Sequence, residues 1–171
     1  METHNVKKIL LDMDGVLTSF DTYVKGILGR PLRSFPTSSA GWRALGDYKN
    51  SLYLVLDPMP DAAELVEGAY ALSKDYGCTL GVLTAVPKEG TVPLAEAHKR
   101  EWLARYFPIL LSDFNIGPHA VDKQNHCKVG DVLIDDSELN IPQWNAKGGK
   151  GILHTDAKTS LFELKTYLET L

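Results

Sequence analysis

The sequence predicts an α/β fold, a Rossmann-like parallel sheet of about five strands flanked by helices, with one small insertion. Two observations predict it. Short apolar runs without polar alternation recur along the chain, the pattern of strands covered on both faces. Between them lie segments whose apolar residues follow helical spacing. The length of 171 residues fits a single domain at roughly 100–200 residues per domain.

The strands are read in order. Lys8-Ile-Leu-Leu-Asp12 is the first, and Cys78-Thr-Leu-Gly-Val-Leu-Thr84 the second. Phe107-Pro-Ile-Leu-Leu-Ser112 is the expected third, Asp131-Val-Leu-Ile-Asp135 the fourth, and Gly151-Ile-Leu-His154 a weaker fifth. Asp61 is placed to cap a helix carrying Ala62, Leu65, Val66, Ala69 and Leu72, which should stop near Gly77. A second helix is expected from about Val92 to Tyr106 and a third from about Thr159 to Leu168. From Thr18 to Pro58 the chain is rich in Gly, Pro, Ser and aromatic residues without a long periodic helix. A structureless loop of that length is unusual in a compact domain, so residues 18–58 are expected to form a partly helical cap over the C-terminal edge of the sheet.

Composition narrows the function classes. Eighteen Lys and Arg against 22 Asp and Glu give a net charge of −4, with no long run of one sign. That balance argues against an extended nucleic-acid partner or an anionic membrane surface. Cys78 and Cys127 stand alone, so neither a disulfide framework nor a structural zinc site is expected. The apolar run Ile9–Leu11 is too short for a signal-peptide core or a membrane span. The expected setting is cytoplasmic.

In open parallel sheets, ligands sit beyond the carboxyl ends of the strands. The strands above bring Asp12 and Asp14, then Thr84, then Asp135 and Asp136 to that edge, with Lys123 and Lys128 just upstream of the last pair. Carboxylates gathered there need a shared cation, and oxygen ligands without His or Cys favour Mg²⁺. A lysine beside a threonine hydroxyl and a metal suits a phosphate dianion.

Asp12-Met-Asp-Gly-Val-Leu17, following an apolar strand, resembles the first motif of the haloacid dehalogenase superfamily of phosphotransferases. Thr84 resembles the second motif, Lys123 the third, and Asp131-Val-Leu-Ile-Asp-Asp136 the fourth, in that order. With Ile-Asp-Asp-Ser followed by Asn140-Ile-Pro-Gln-Trp144, the likeness is to the 5′(3′)-deoxyribonucleotidase branch and its phage and bacterial relatives.

The resemblance implies an Mg²⁺-dependent phosphomonoester hydrolase working through an aspartyl-phosphate. Its substrate would be a small phosphomonoester, foremost a nucleoside monophosphate. Asp12 would be the nucleophile, and Asp14 would protonate the leaving alkoxide and then deprotonate water. Thr84, the Ala85 amide and Lys123 would bind the phosphate. Asp12, the Asp14 carbonyl and Asp136 would hold the metal, with Asp135 in support. Gly15 would give the chain room to turn beside the phosphate. Lys123 is preferred over Lys128 because a lysine at a helix start reaches back over the strand ends. Alternatives are a phosphatase for nucleic-acid ends or another phosphometabolite, and a non-catalytic nucleotide-sensing module; the paired Asp12 and Asp14 count against the last.

Other features read more plainly. His98, Lys99, Arg100 and Trp102 look like a solvated helical face with one buried Trp. His119 and His126 lack a third soft ligand and suit surface or capping roles. Gly148-Gly-Lys-Gly151 lacks the spacing of a phosphate loop and reads as a turn. Phe35, Trp42 and Tyr48 either stack on a nucleobase or pack the insertion.

Overall fold

A computed structural model describes residues 8–117 and 119–171. Strand β1 (Lys8–Leu11) leads into three helices, α1 (Phe20–Leu28), α2 (Ser38–Leu45) and α3 (Leu52–Val55), joined through 3₁₀ turns at Leu32–Ser34 and Gly46–Ser51. Helix α4 (Ala62–Asp75) precedes β2 (Thr79–Ala85), and α5 (Ala95–Tyr106) follows it. Next come β3 (Phe114–Gly117), a 3₁₀ segment at Ala120–His126, and β4 (Val132–Asp135). Helix α6 (Asn140–Ala146), β5 (Lys150–Leu153) and α7 (Ala157–Glu169) complete the order.

The five strands form one sheet, ordered β3-β2-β1-β4-β5, with every neighbouring pair parallel. The chain builds outward from β1 through β2 to β3, then crosses back to add β4 and β5 on the other side. Connections therefore leave β1 and β4 in opposite directions and open a crevice between their carboxyl ends.

Unbroken apolar strands are explained by burial on both faces. Ile9, Leu11, Val82, Ile134 and Ile152 join the larger core with residues of α4, α5 and α7. Leu10, Leu83 and Leu133 point to the opposite face, where they pack on Trp144 of α6. The Trp144 indole donates to the Asp131 carbonyl at 3.0 Å, so its burial leaves no polar atom unpaired. A Cβ on Gly149 would lie 2.3 Å from that indole nitrogen, which explains the glycine. Of Gly148–Gly151, read as a turn, Gly148 lies in the turn before β5, while Lys150 and Gly151 already belong to the strand.

The fold differs from the sequence pattern at two places. Pro108-Ile-Leu-Leu-Ser-Asp113 forms a 3₁₀ segment, not a strand, and β3 begins after it at Phe114. Pro108 has no N–H for a ladder and its fixed φ suits a helical first turn, so the proline outweighs the apolar run. Asp61 sits at the start of α4, but its carboxylate does not cap that helix. It accepts instead from the Ala157 N–H at 2.7 Å, tying α4 to the start of α7.

The excursion after β1 is mostly helical. Its buried residues Val24, Leu45, Leu52, Tyr53 and Leu56 form a cluster with Val92 and Ala95, separate from the two sheet faces. Thr18 bridges Pro58, the Ser19 N–H donates to the Asp57 carbonyl at 2.8 Å, and the Met59 N–H donates to Leu17 at 2.7 Å. These bonds join the two ends of the segment just beyond the carboxyl end of β1.

Candidate functional site

Asp12 follows β1 directly, and its N–H donates to the Ile134 carbonyl of β4 at 2.9 Å, which holds it in the crevice. Its Oδ1 accepts from the Met13 N–H at 2.8 Å and from Lys123 Nζ at 2.6 Å. Lys123 comes from the 3₁₀ segment after β3 and is only 3% exposed. Its Nζ makes a second bond, at 2.8 Å, to Asp135 Oδ2 at the end of β4. The Asn140 amide and the Ser137 N–H also donate to Asp135, at 3.0 and 2.9 Å, so both of its oxygens are engaged. Lys128 is exposed, and its backbone bonds with Asp131, the N–H donating to the Asp131 carboxylate at 3.3 Å and the carbonyl accepting from the Asp131 N–H at 2.9 Å. Of the two candidate lysines, Lys123 is the one in the cluster.

Carboxylate oxygens of Asp12, Asp135 and Asp136 lie within 4.8 Å of one another. Burial, and then repulsion from Asp135, raises the Asp12 carboxyl well above the usual carboxylate range. Asp136 is exposed as a residue, but desolvation of its carboxyl and repulsion from Asp135 lift it to about 6. Burial would raise Asp135 too, but Lys123, Asn140 and the Ser137 N–H outweigh it and hold it below its ordinary value. Burial would lower the Lys123 ammonium, yet Asp12 and Asp135 raise it. The depressed Asp135 stabilises the fold above its unfolded pKa, and that contribution is lost as pH falls through its folded value. Asp12 and Asp136 act in the opposite sense, so the cluster holds more negative charge than one ammonium offsets.

Gly15 adopts φ +87°, and a Cβ there would lie 2.1 Å from Asp136 Oδ2. Both the turn and the approach of the Asp136 carboxylate, just after β4, therefore require glycine.

The Asp14 carboxylate does not join this group. Its Oδ1 accepts from the Thr18 hydroxyl at 2.9 Å and its Oδ2 from Lys99 Nζ at 2.8 Å. Lys99 also donates to Thr84 Oγ1 at 2.7 Å and to the Ala85 carbonyl at 2.9 Å, at the end of β2. The Tyr53 ring covers the same ammonium, 4.4 Å from its centroid. Lys99 is therefore not on a solvated face, and its side chain is fully buried. The sequence did hold a signal for it. Ala95, Lys99, Trp102 and Leu103 fall on one helical stripe, and all four are buried. A lysine on an otherwise apolar stripe marks a buried partner.

No family model matches the chain, and no curated protein matches it. A cavity of about 520 Å³ opens beside Asp14 and Ala85, walled by Phe20, Phe35, Trp42 and Tyr53. Arg33 and Asp21 pair at its lining, whereas Tyr48 is exposed and lies outside the lining. His119 and His126 are both exposed, and neither belongs to the carboxylate group.

Proposed function

We propose that this protein is an Mg²⁺-dependent phosphomonoester hydrolase that works through an aspartyl-phosphate on Asp12, with nucleoside monophosphates as substrates. One observation carries the proposal: a single buried ammonium, Lys123, bridges Asp12 and Asp135 while Asp136 completes a three-carboxylate group. When all three acids are ionised, two negative charges stay uncompensated, the charge of one divalent cation. The donor set is all oxygen, which fits Mg²⁺ rather than a thiophilic metal. Asp12, Asp136 and the Asp14 carbonyl are the groups assigned to hold it. When bound, the ion would neutralise charge on the transferring phosphoryl group.

The chain's own residues supply the rest. Lys123 and the Met13 N–H both engage Oδ1 of Asp12, so Oδ2 is the oxygen assigned to attack phosphorus. The Oδ2–phosphorus bond forms as the bond to the leaving oxygen breaks, and Asp14 gives that oxygen a proton. Water then attacks the acyl phosphate, Asp14 takes its proton, and phosphate leaves with Asp12 restored. Lys123 and the Thr84 hydroxyl are the groups assigned to bind phosphate oxygens as charge accumulates. The aromatic-walled cavity beside Asp14 lies within the usual size of small-molecule sites and suits a nucleoside leaving group. The order of Asp12, Thr84, Lys123 and Asp136 along the chain, which resembles the haloacid dehalogenase superfamily, supports the same reading.

The test is phosphate release from a panel of nucleoside 5′- and 3′-monophosphates, with Mg²⁺ or with EDTA. Turnover in Mg²⁺ that EDTA abolishes and added Mg²⁺ restores is the expected result. Turnover of none of them, or turnover indifferent to EDTA, would remove the proposal.

A further inference from the structure

We propose that Lys99 is a positioning residue that holds the Asp14 carboxylate for the water-activating half of the reaction. This inference rests on the phosphatase reading above.

An ammonium has three N–H donors and no acceptor. All three are spent on Asp14 Oδ2, Thr84 Oγ1 and the Ala85 carbonyl, at 2.7–2.9 Å. None is left for a substrate oxygen, and the Tyr53 ring closes the remaining side. Lys99 therefore acts through the groups it touches. It fixes Asp14 on one oxygen while Thr18 fixes the other, so the carboxylate plane is tied at both ends.

A purely structural role does not account for a lysine here. Its neighbours on the buried stripe of α5 are Ala95, Trp102 and Leu103, and an apolar side chain would join them without the cost of desolvating a charge. The cation instead sits where the ends of β1 and β2 present Asp14 and Thr84. In the second half-reaction a carboxylate must meet attacking water along a fixed direction. The water proton passes to Asp14, the water oxygen bonds to phosphorus, and the acyl phosphate bond to Asp12 breaks. A carboxylate free to rotate loses that alignment, and misplacement by about 1 Å costs on the order of 10²-fold.

The experiment uses p-nitrophenyl phosphate with Mg²⁺, because nitrophenolate departs without needing a proton. Lys99→Met should form the phosphoenzyme at a near-normal rate and hydrolyse it slowly. Rapid mixing should then show a nitrophenolate burst approaching one per enzyme, followed by steady turnover at least tenfold below wild type. Circular dichroism checks folding, and Lys99→Gln, which keeps donors without the charge, is read in the same way with a smaller loss. A loss of turnover without a burst in a folded variant would show a general effect on the site and overturn the proposal. Unchanged turnover would overturn it too. Wild-type protein without Mg²⁺-dependent turnover, or Asp12→Asn as active as wild type, would fell the phosphatase reading itself and this inference with it.

Discussion

Asp12→Asn should abolish phosphate release while leaving the fold intact. The amide is nearly isosteric and still accepts from Lys123 and the Met13 N–H, so the local hydrogen bonds survive. It is a poor nucleophile, however, and without the covalent route the barrier should rise by several kcal/mol, on the order of 10³-fold or more in rate. Stability should move the other way. Burial and Asp135 raise the Asp12 carboxyl, so its ionised form opposes folding at neutral pH. The midpoint of thermal unfolding should therefore equal or exceed that of wild type in metal-free buffer. Turnover within tenfold of wild type would take Asp12 out of the nucleophilic role.

Lys123→Ala is expected to be the more damaging change, because it costs both activity and stability. Its ammonium is the shared partner of Asp12 at 2.6 Å and Asp135 at 2.8 Å. Its removal leaves buried carboxylates facing each other, a loss of order 3 kcal/mol that protonation relieves only in part. The phosphate also loses a charge-assisted donor in a shielded position, so kcat/KM should fall about 10²–10³-fold. Added Mg²⁺ should recover part of the thermal stability and little of the activity. Lys128→Ala, on the exposed turn before β4, should change stability by no more than about 0.5 kcal/mol. Thermal unfolding and steady-state kinetics on the two variants decide between them, and the reverse ranking would contradict the assignment.

Some of this architecture was legible in the sequence for reasons that can be named. Runs such as Ile9-Leu-Leu11 and Val132-Leu-Ile134 lack polar alternation because both faces of the sheet are covered, so periodicity and burial agree there. The acids at their ends follow from strand polarity, and parallel pairing of β1 with β4 brings Asp12 beside Asp135. Lys123 was legible from its expected place at the start of a short helix, from which a lysine reaches back over the strand ends, although its bridging of two carboxylates was not.

The failures are local. In Phe107–Ser112 apolar content argued for a strand, but Pro108 redirected the backbone into a 3₁₀ segment. Asp61 stood correctly at a helix start, yet nothing in its neighbourhood announced that it would cap α7 across 96 residues of chain. Lys99 is buried where its sequence suggests a solvated face, because polar and charged neighbours at 98, 100 and 101 mask its place on the apolar stripe. Its three partners come from the turn after β1 and from β2, and only the tertiary fold brings them together.

The central claim is that phosphorus passes through Asp12, and a trapped intermediate tests it most directly. Wild-type protein mixed with ³²P-labelled nucleoside monophosphate and Mg²⁺, then quenched in acid within milliseconds, should carry label on the protein. The label should be released by hydroxylamine, as an acyl phosphate is, and should map to the peptide containing Asp12. Asp12→Asn treated in the same way should carry none. Label on a different residue, or phosphate released in a single turnover with no protein-bound label at any quench time, would contradict the account.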